Sequence, residues 1–158
     1  PMLYKATWFN KYRSGVLADN GCIYSHGALA RSILKIDTTD DSATEIPYPD
    51  FIIDAMTDGD PTNYLTNHAA SFTSVLGSDG RVYSTPWGIP YIIAIDPDDD
   101  SIVYYNISDT LVDSGSNRSD GCECPNSSGN WYTFATAVGD DIYFAPGGSQ
   151  KVMKLTIT

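Results

Sequence analysis

One unit of 16 residues occurs three times in this chain, and that repetition constrains the fold more than any other feature of the sequence. Residues 22–37 read CIYSHGALARSILKID, residues 81–96 read RVYSTPWGIPYIIAID, and residues 141–156 read DIYFAPGGSQKVMKLT. The three align without a gap. Ile23, Val82 and Ile142 correspond at steps of 59 and 60 residues, and Tyr24, Tyr83 and Tyr143 follow them. Ile33, Ile92 and Val152 match, as do Ile36, Ile95 and Leu155. Asp37 and Asp96 match, where the third copy has Thr156.

The correspondence extends beyond the core of the unit. An apolar pair and a turn precede each copy: Val16-Leu17 before Asp19-Asn20-Gly21, Val75-Leu76 before Ser78-Asp79-Gly80, and Ala137-Val138 before Gly139-Asp140. Asn-Gly and Asp-Gly supply the positive φ angles of tight hairpin turns. After Asp37 and Asp96 come acidic turns and then Ala43–Ile46 and Ile102–Tyr105, whereas the third copy reaches Thr158 before such a strand. Each unit therefore reads as strand, tight turn, strand, loop, strand, acidic turn, strand. The polar positions Lys35 and Asp37 alternate with Ile33-Leu34 and Ile36 as in a half-buried strand. Ile, Val, Tyr and Thr suit a pleated surface. Phe51–Met56 is the strongest helical suggestion, a short one between Pro49 and Gly59.

Four-stranded antiparallel units in series are the pattern of a β-propeller. Gly21–Pro49, with its Gly21-Cys22-Ile23-Tyr24 start, its Ile33-Leu34-Lys35-Ile36-Asp37 strand and its Thr44-Glu45-Ile46-Pro47 strand, resembles a blade of the streptogramin lyase-like, NHL and kelch-like propellers. The resemblance covers the core of all three copies and the flanks of two. It implies an all-β fold of four-stranded antiparallel blades, three per chain, in units spanning about 4–49, 63–108 and 130–158. The repeat is longer than most blades, which places the extra length in links 47–70 and 106–132. Three blades do not close a ring, because known propellers use four to eight. A head-to-tail homodimer with six blades solves this, with the third blade of each chain on the first blade of the other. The Leu3-Tyr4-Lys5-Ala6 segment of the partner is a candidate for the outer strand that the third unit lacks. Other oligomeric arrangements, a segment of a longer propeller, and a self-contained barrel or sandwich remain as alternative readings.

Charge narrows the partners. Twenty acidic against nine basic residues give a net charge of -11 and a sequence pI near 4.2. Such a balance repels phosphate backbones and anionic lipid heads, so neither nucleic acid nor membrane is expected as a partner. No run of about 18 apolar residues suits a membrane helix. Of the three cysteines, Cys22, Cys122 and Cys124, at least one is unpaired within the chain, and Cys122-Glu123-Cys124 lacks the spacing of a zinc site.

In propellers of this kind the links and the loops between second and third strands share one face. Here the loops are 25–32, 84–91 and 145–151. That face is the candidate binding surface, with Trp87, Tyr91, His26, Arg31, His68 and Trp131, together with Tyr64 and a rim of Asp54, Asp58, Asp60, Asp113 and Asp120. Aromatic rings beside carboxylates suit sugars or cationic ligands. Two simpler roles compete: the tryptophans cover blade ends, and the histidines are solvated loop residues. The expectation is a non-enzymatic binding or scaffold module for a sugar, a cationic small molecule or a protein. The alternative is a metal-dependent hydrolase or lyase using His26, His68 and nearby Asp. The streptogramin lyase family works through a histidine and metal-binding acidic residues, and no motif in this chain carries these over. Asp58-Gly59-Asp60 and Asp96-Pro97-Asp98-Asp99-Asp100 invite a calcium reading. The latter occupies the same turn as Asp37–Ser42, where Asp side chains capping the backbone account for it. No nucleophile elbow, P-loop or dinucleotide fingerprint occurs, so no catalytic residue and no cofactor is expected.

Overall fold

The computed structural model describes residues 11–57, 59, 69–112 and 131–158. The first repeat forms β1 (Val16–Leu17), β2 (Cys22–His26), β3 (Ser32–Asp37) and β4 (Ser42–Pro47), an antiparallel sheet in that order. The helix α1 (Asp50–Thr57) follows, as Phe51–Met56 suggested. The second sheet is β5 (Ser71–Leu76), β6 (Val82–Pro86), β7 (Tyr91–Ile95) and β8 (Ile102–Asn106). The short helix α2 (Ser108–Val112) comes next and has no counterpart in the sequence reading. The third sheet holds the three strands β9 (Tyr132–Val138), β10 (Asp141–Pro146) and β11 (Met153–Thr156).

Turn chemistry sets the registers, and it recurs at matched positions. Gly21, Gly80 and Gly139 have φ of 81°, 82° and 58° in the turns between first and second strands. A side chain is disfavoured in that conformation, which explains the glycines. The acidic turns between third and fourth strands place Asp41 and Asp100 at φ 58° and 59°. In each, two carboxylates accept backbone N–H bonds: Asp37 from Thr39 and Asp40 from Ser42, then Asp96 from Asp98 and Asp99 from Ser101. These aspartates hold the turns through their own side chains, as the turn-capping reading expected.

The period-2 alternation gives every sheet two unlike faces. In the first sheet Tyr24 lies opposite Val16 and Lys35 and looks towards the second sheet, whereas Ile23 lies opposite Leu17 and Ile36 on the reverse. The second sheet uses both faces. Val82, Ile93 and Ile95 meet Tyr24 and Ile33, and Ile52 and Met56 of α1 join them. Tyr83, Ile92 and Ala94 meet Ile142, Phe144 and Met153 of the third sheet. The sheets are therefore stacked in chain order, tyrosine face against isoleucine face, with β5 beside both β1 and β9. Tyr24, Ile93, Ile95, Ile142 and Phe144 are fully buried, and each side chain of this size stabilises the fold by about 1.5–3 kcal/mol.

Candidate functional site

The loop face is built on a chain of backbone hydrogen bonds that crosses all three sheets. Ala28 donates to the Lys11 carbonyl at 2.7 Å, Ala70 to Ala28 at 2.9 Å, Trp87 to Ala70 at 3.4 Å, Trp131 to Trp87 at 3.1 Å, and Gly147 to Trp131 at 2.8 Å. Lys11, Ala70 and Trp131 sit just before the inner strands, while Ala28, Trp87 and Gly147 sit in the loops after the second strands. Among the described residues, the link ends Ala69-Ala70 and Trp131 thus lie beside these loops. Gly27 makes its loop possible: a Cβ there would meet the Ala30 and Ser32 carbonyls, the latter at 2.6 Å.

Around this relay the predicted residues separate. Trp87 stacks on Phe72, with ring centroids 4.5 Å apart and planes at 29°. The Arg13 guanidinium lies 4.5 Å from the centre of the same Phe72 ring. Phe134 meets Phe72 edge-on at 5.8 Å and is 59% exposed. Arg13, Phe72, Trp87 and Phe134 therefore form one aromatic and cationic cluster on the loop side of the inner strands. Trp131 joins Trp87 through the relay and packs half-buried on the second core. Tyr91 leaves this group. It contacts Phe51 of α1 at 5.6 Å, and Phe51 also contacts Tyr104. Arg31 is half-buried, and its carbonyl accepts the Tyr48 N–H. Asp54 is exposed on α1. His68, Tyr64, Asp58, Asp60, Asp113 and Asp120 lie outside the described residues, as do Cys122 and Cys124; Cys22 is a buried free thiol.

His26 differs from the solvated loop histidine expected of it. It ends β2 at 3% exposure and faces the seam with the second sheet. Its N–H donates to Ser74 Oγ at 3.2 Å, and its Nδ1 lies 3.0 Å from the same oxygen. Ser74 Oγ thus holds both the backbone nitrogen and Nδ1 of His26, leaving Nε2 on the far side of the ring. That nitrogen has no hydrogen-bond partner within normal geometry. Burial pushes the His26 pKa down to about 3, and the nearby Ile93 backbone offsets this only in part.

The opposite end of the sheets holds a cleft of about 290 Å³ lined by Asp19, Asn20, Ser78, Asp79, Asp96 and Asp98. Arg81 reaches into this acidic group, 3.3 Å from Asp96 and 3.7 Å from Asp79. Among the described residues no three His, Cys, Asp or Glu side chains are grouped to hold a metal ion.

Sequence reading missed Arg13, Phe72 and Phe134. Arg13 and Phe72 stand 59 residues apart at matching places before and within the inner strands, which is the signal that could have found them.

No family model and no curated protein matches the chain. Among solved structures it is similar to a catalytically inactive virginiamycin B lyase from Staphylococcus aureus with quinupristin, at 16% identity and a TM-score of 0.58 over 98% of this chain and 40% of that one. A hydrazine synthase from Kuenenia stuttgartiensis aligns at 10% identity and a TM-score of 0.58, covering 97% of this chain and 36% of that one. The extracellular domain of a one-component system from B. thetaiotaomicron aligns at 13% identity and a TM-score of 0.51, over 90% of this chain and 16% of that one. The chain spans less than half the length of each of these structures. At such identities the likeness concerns the fold: three stacked antiparallel sheets in an all-β, propeller-like arrangement.

Proposed function

We propose that this chain is a non-enzymatic binding module that works as a six-bladed ring of two identical copies and presents its loop face to a ligand. The observation that carries this reading is the state of the two end faces. Each interior face meets an opposite face, but the reverse of the first sheet leaves Leu17 60% exposed, with Ile23, Leu34 and Ile36 half-buried. The far side of the third sheet leaves Val138 64% and Val152 63% exposed, with Tyr143 at 38%. These are an isoleucine face and a tyrosine face, the two kinds that pair inside the chain. Exposed apolar faces of this extent mark association. Light scattering is expected to give twice the 17.2 kDa chain mass. Leu17→Glu or Val138→Glu, at sites already exposed in the single chain, should return it to one chain mass. Wild-type protein at one chain mass across the micromolar range sinks the two-copy ring.

The ligand class follows from the loop-face cluster. Arg13 already occupies a face of Phe72, the position a cationic ligand seeks. The exposed Phe134 ring beside a guanidinium suits a sugar, whose C–H face lies on an aromatic ring while its hydroxyls accept from Arg13. Glucose, galactose and N-acetylglucosamine oligosaccharides should quench Trp87 fluorescence saturably, and Phe72→Ala should remove the response. Silence across that panel rejects the sugar reading. The metal-dependent hydrolase or lyase alternative loses His26, whose ring is buried in the seam between sheets and away from solvent.

A further inference from the structure

We propose that the two copies close head to tail through a specific polar seam, in which Tyr143 and Lys154 of one copy bind the partner subunit's Asp41. This rests on the two-copy reading above and names the contact that sets its register. The chain already contains one such seam. Tyr24 and Lys35 stand opposite each other on β2 and β3. Both reach across to Asp100 of the second sheet: Tyr24 donates to Oδ1 at 2.9 Å, and Lys35 donates to Oδ1 at 2.8 Å and Oδ2 at 2.6 Å.

All three positions recur at the open ends. Tyr143 and Lys154 stand opposite each other on β10 and β11, in the register that Tyr24 and Lys35 hold. Asp41 precedes Asp100 by 59 residues in the matching turn. Asp41 and Asp100, at φ 58° and 59°, are the positive-φ residues other than glycine among the described residues. Such a conformation is uncommon, and it gives the two aspartates the same backbone frame. The middle sheet departs from the pattern. Ala94 stands opposite Tyr83, whose hydroxyl donates instead to Asp79 of its own sheet. The lysine is thus present in the first sheet, whose neighbour carries the turn aspartate, and in the third, whose neighbour in a closed ring would carry Asp41.

In the single chain Tyr143 and Lys154 turn to Asp141 of their own sheet, at 3.4 and 3.1 Å. Exposed pairs of that kind contribute little, so exchanging Asp141 for Asp41 costs little. Burial of Leu17, Val138 and Val152 supplies the attraction, and the polar seam supplies direction and register. The same closure sets Gly147 of one copy beside the partner subunit's Lys11, extending the loop-face relay by its own repeat.

Charge exchange tests the seam. Lys154→Asp and Asp41→Lys are each expected to weaken self-association at least tenfold in light scattering or sedimentation. The chain with both changes should recover it, and so should an equimolar mixture of the two single variants, because both closures then pair opposite charges. Circular dichroism melts of the single variants check that each chain stays folded, and recovery in the doubly changed chain carries the test if one melts early. A doubled mass for wild type with no response to the single changes, or no recovery on exchange, overturns this seam and leaves the ring standing. A single-chain mass for wild type overturns both.

Discussion

Phe144→Ala is expected to cost about 3–5 kcal/mol of stability, the range for truncating a buried aromatic side chain. The ring is fully buried between the second and third sheets. It stands opposite Met153 and Ala135 in the ladder and edge-on to Tyr132, with centroids 6.2 Å apart. Two hydrogen-bonded partners hold β10, so the walls cannot collapse into the space left behind. A domain of this size is stable by roughly 5–15 kcal/mol, so much of the margin disappears. Phe134→Ala is the control. That ring is 59% exposed on the neighbouring strand, and its loss should cost well under half as much in urea unfolding at fixed protein concentration. Equal losses would reject the face assignment of β9 and β10.

Acid is expected to destabilise the protein between pH 6.5 and about 3 through His26. The buried ring stays neutral in the fold until about pH 3, whereas the unfolded chain protonates it near 6.5. Below 6.5 the unfolded state therefore binds more protons, and stability falls with pH until the folded pKa is reached. At ~1.4 kcal/mol per pKa unit the full effect is of the order of several kcal/mol. Asp37, Asp99 and Asp141 act in a lower window. Hydrogen bonds from Thr39, Ser101 and Thr156 hold their carboxyls below the usual value of 3.8, so their contribution is present above that pH and lost beneath it. Urea unfolding at pH 7 and pH 4.5 separates the two. Wild type should lose stability over this interval, and His26→Phe should lose much less. Identical losses would mean that the ring is not the group being protonated.

The strands were legible because their period-2 patterning and their turns are local properties. Ile23 and Tyr24 on opposite faces, Gly21 and Gly80 in tight turns, and Asp37 and Asp96 as caps each depend on neighbours a few residues away. The candidate site was legible only in part, because spacing within a loop does not say which way a side chain points. His26 reads as a loop residue until β2 is seen to continue through it and bury its ring against Ser74. Tyr91 reads as part of the loop face until α1 brings Phe51 against it. Phe72, Phe134 and Arg13 come from different repeats, and only the packing of inner strand beside inner strand assembles them.

The amino-acid sequence alone determined the number of units, the order of strands within each, and the two unlike faces of every sheet, since alternation and turn residues act over short range. The tertiary structure alone decided that these faces meet tyrosine side to isoleucine side, that Tyr24 and Lys35 share Asp100, and that both end faces stay open. Those outcomes depend on contacts between residues of different repeats, such as Lys35 and Tyr24 with Asp100, 65 and 76 positions away, which no local preference encodes.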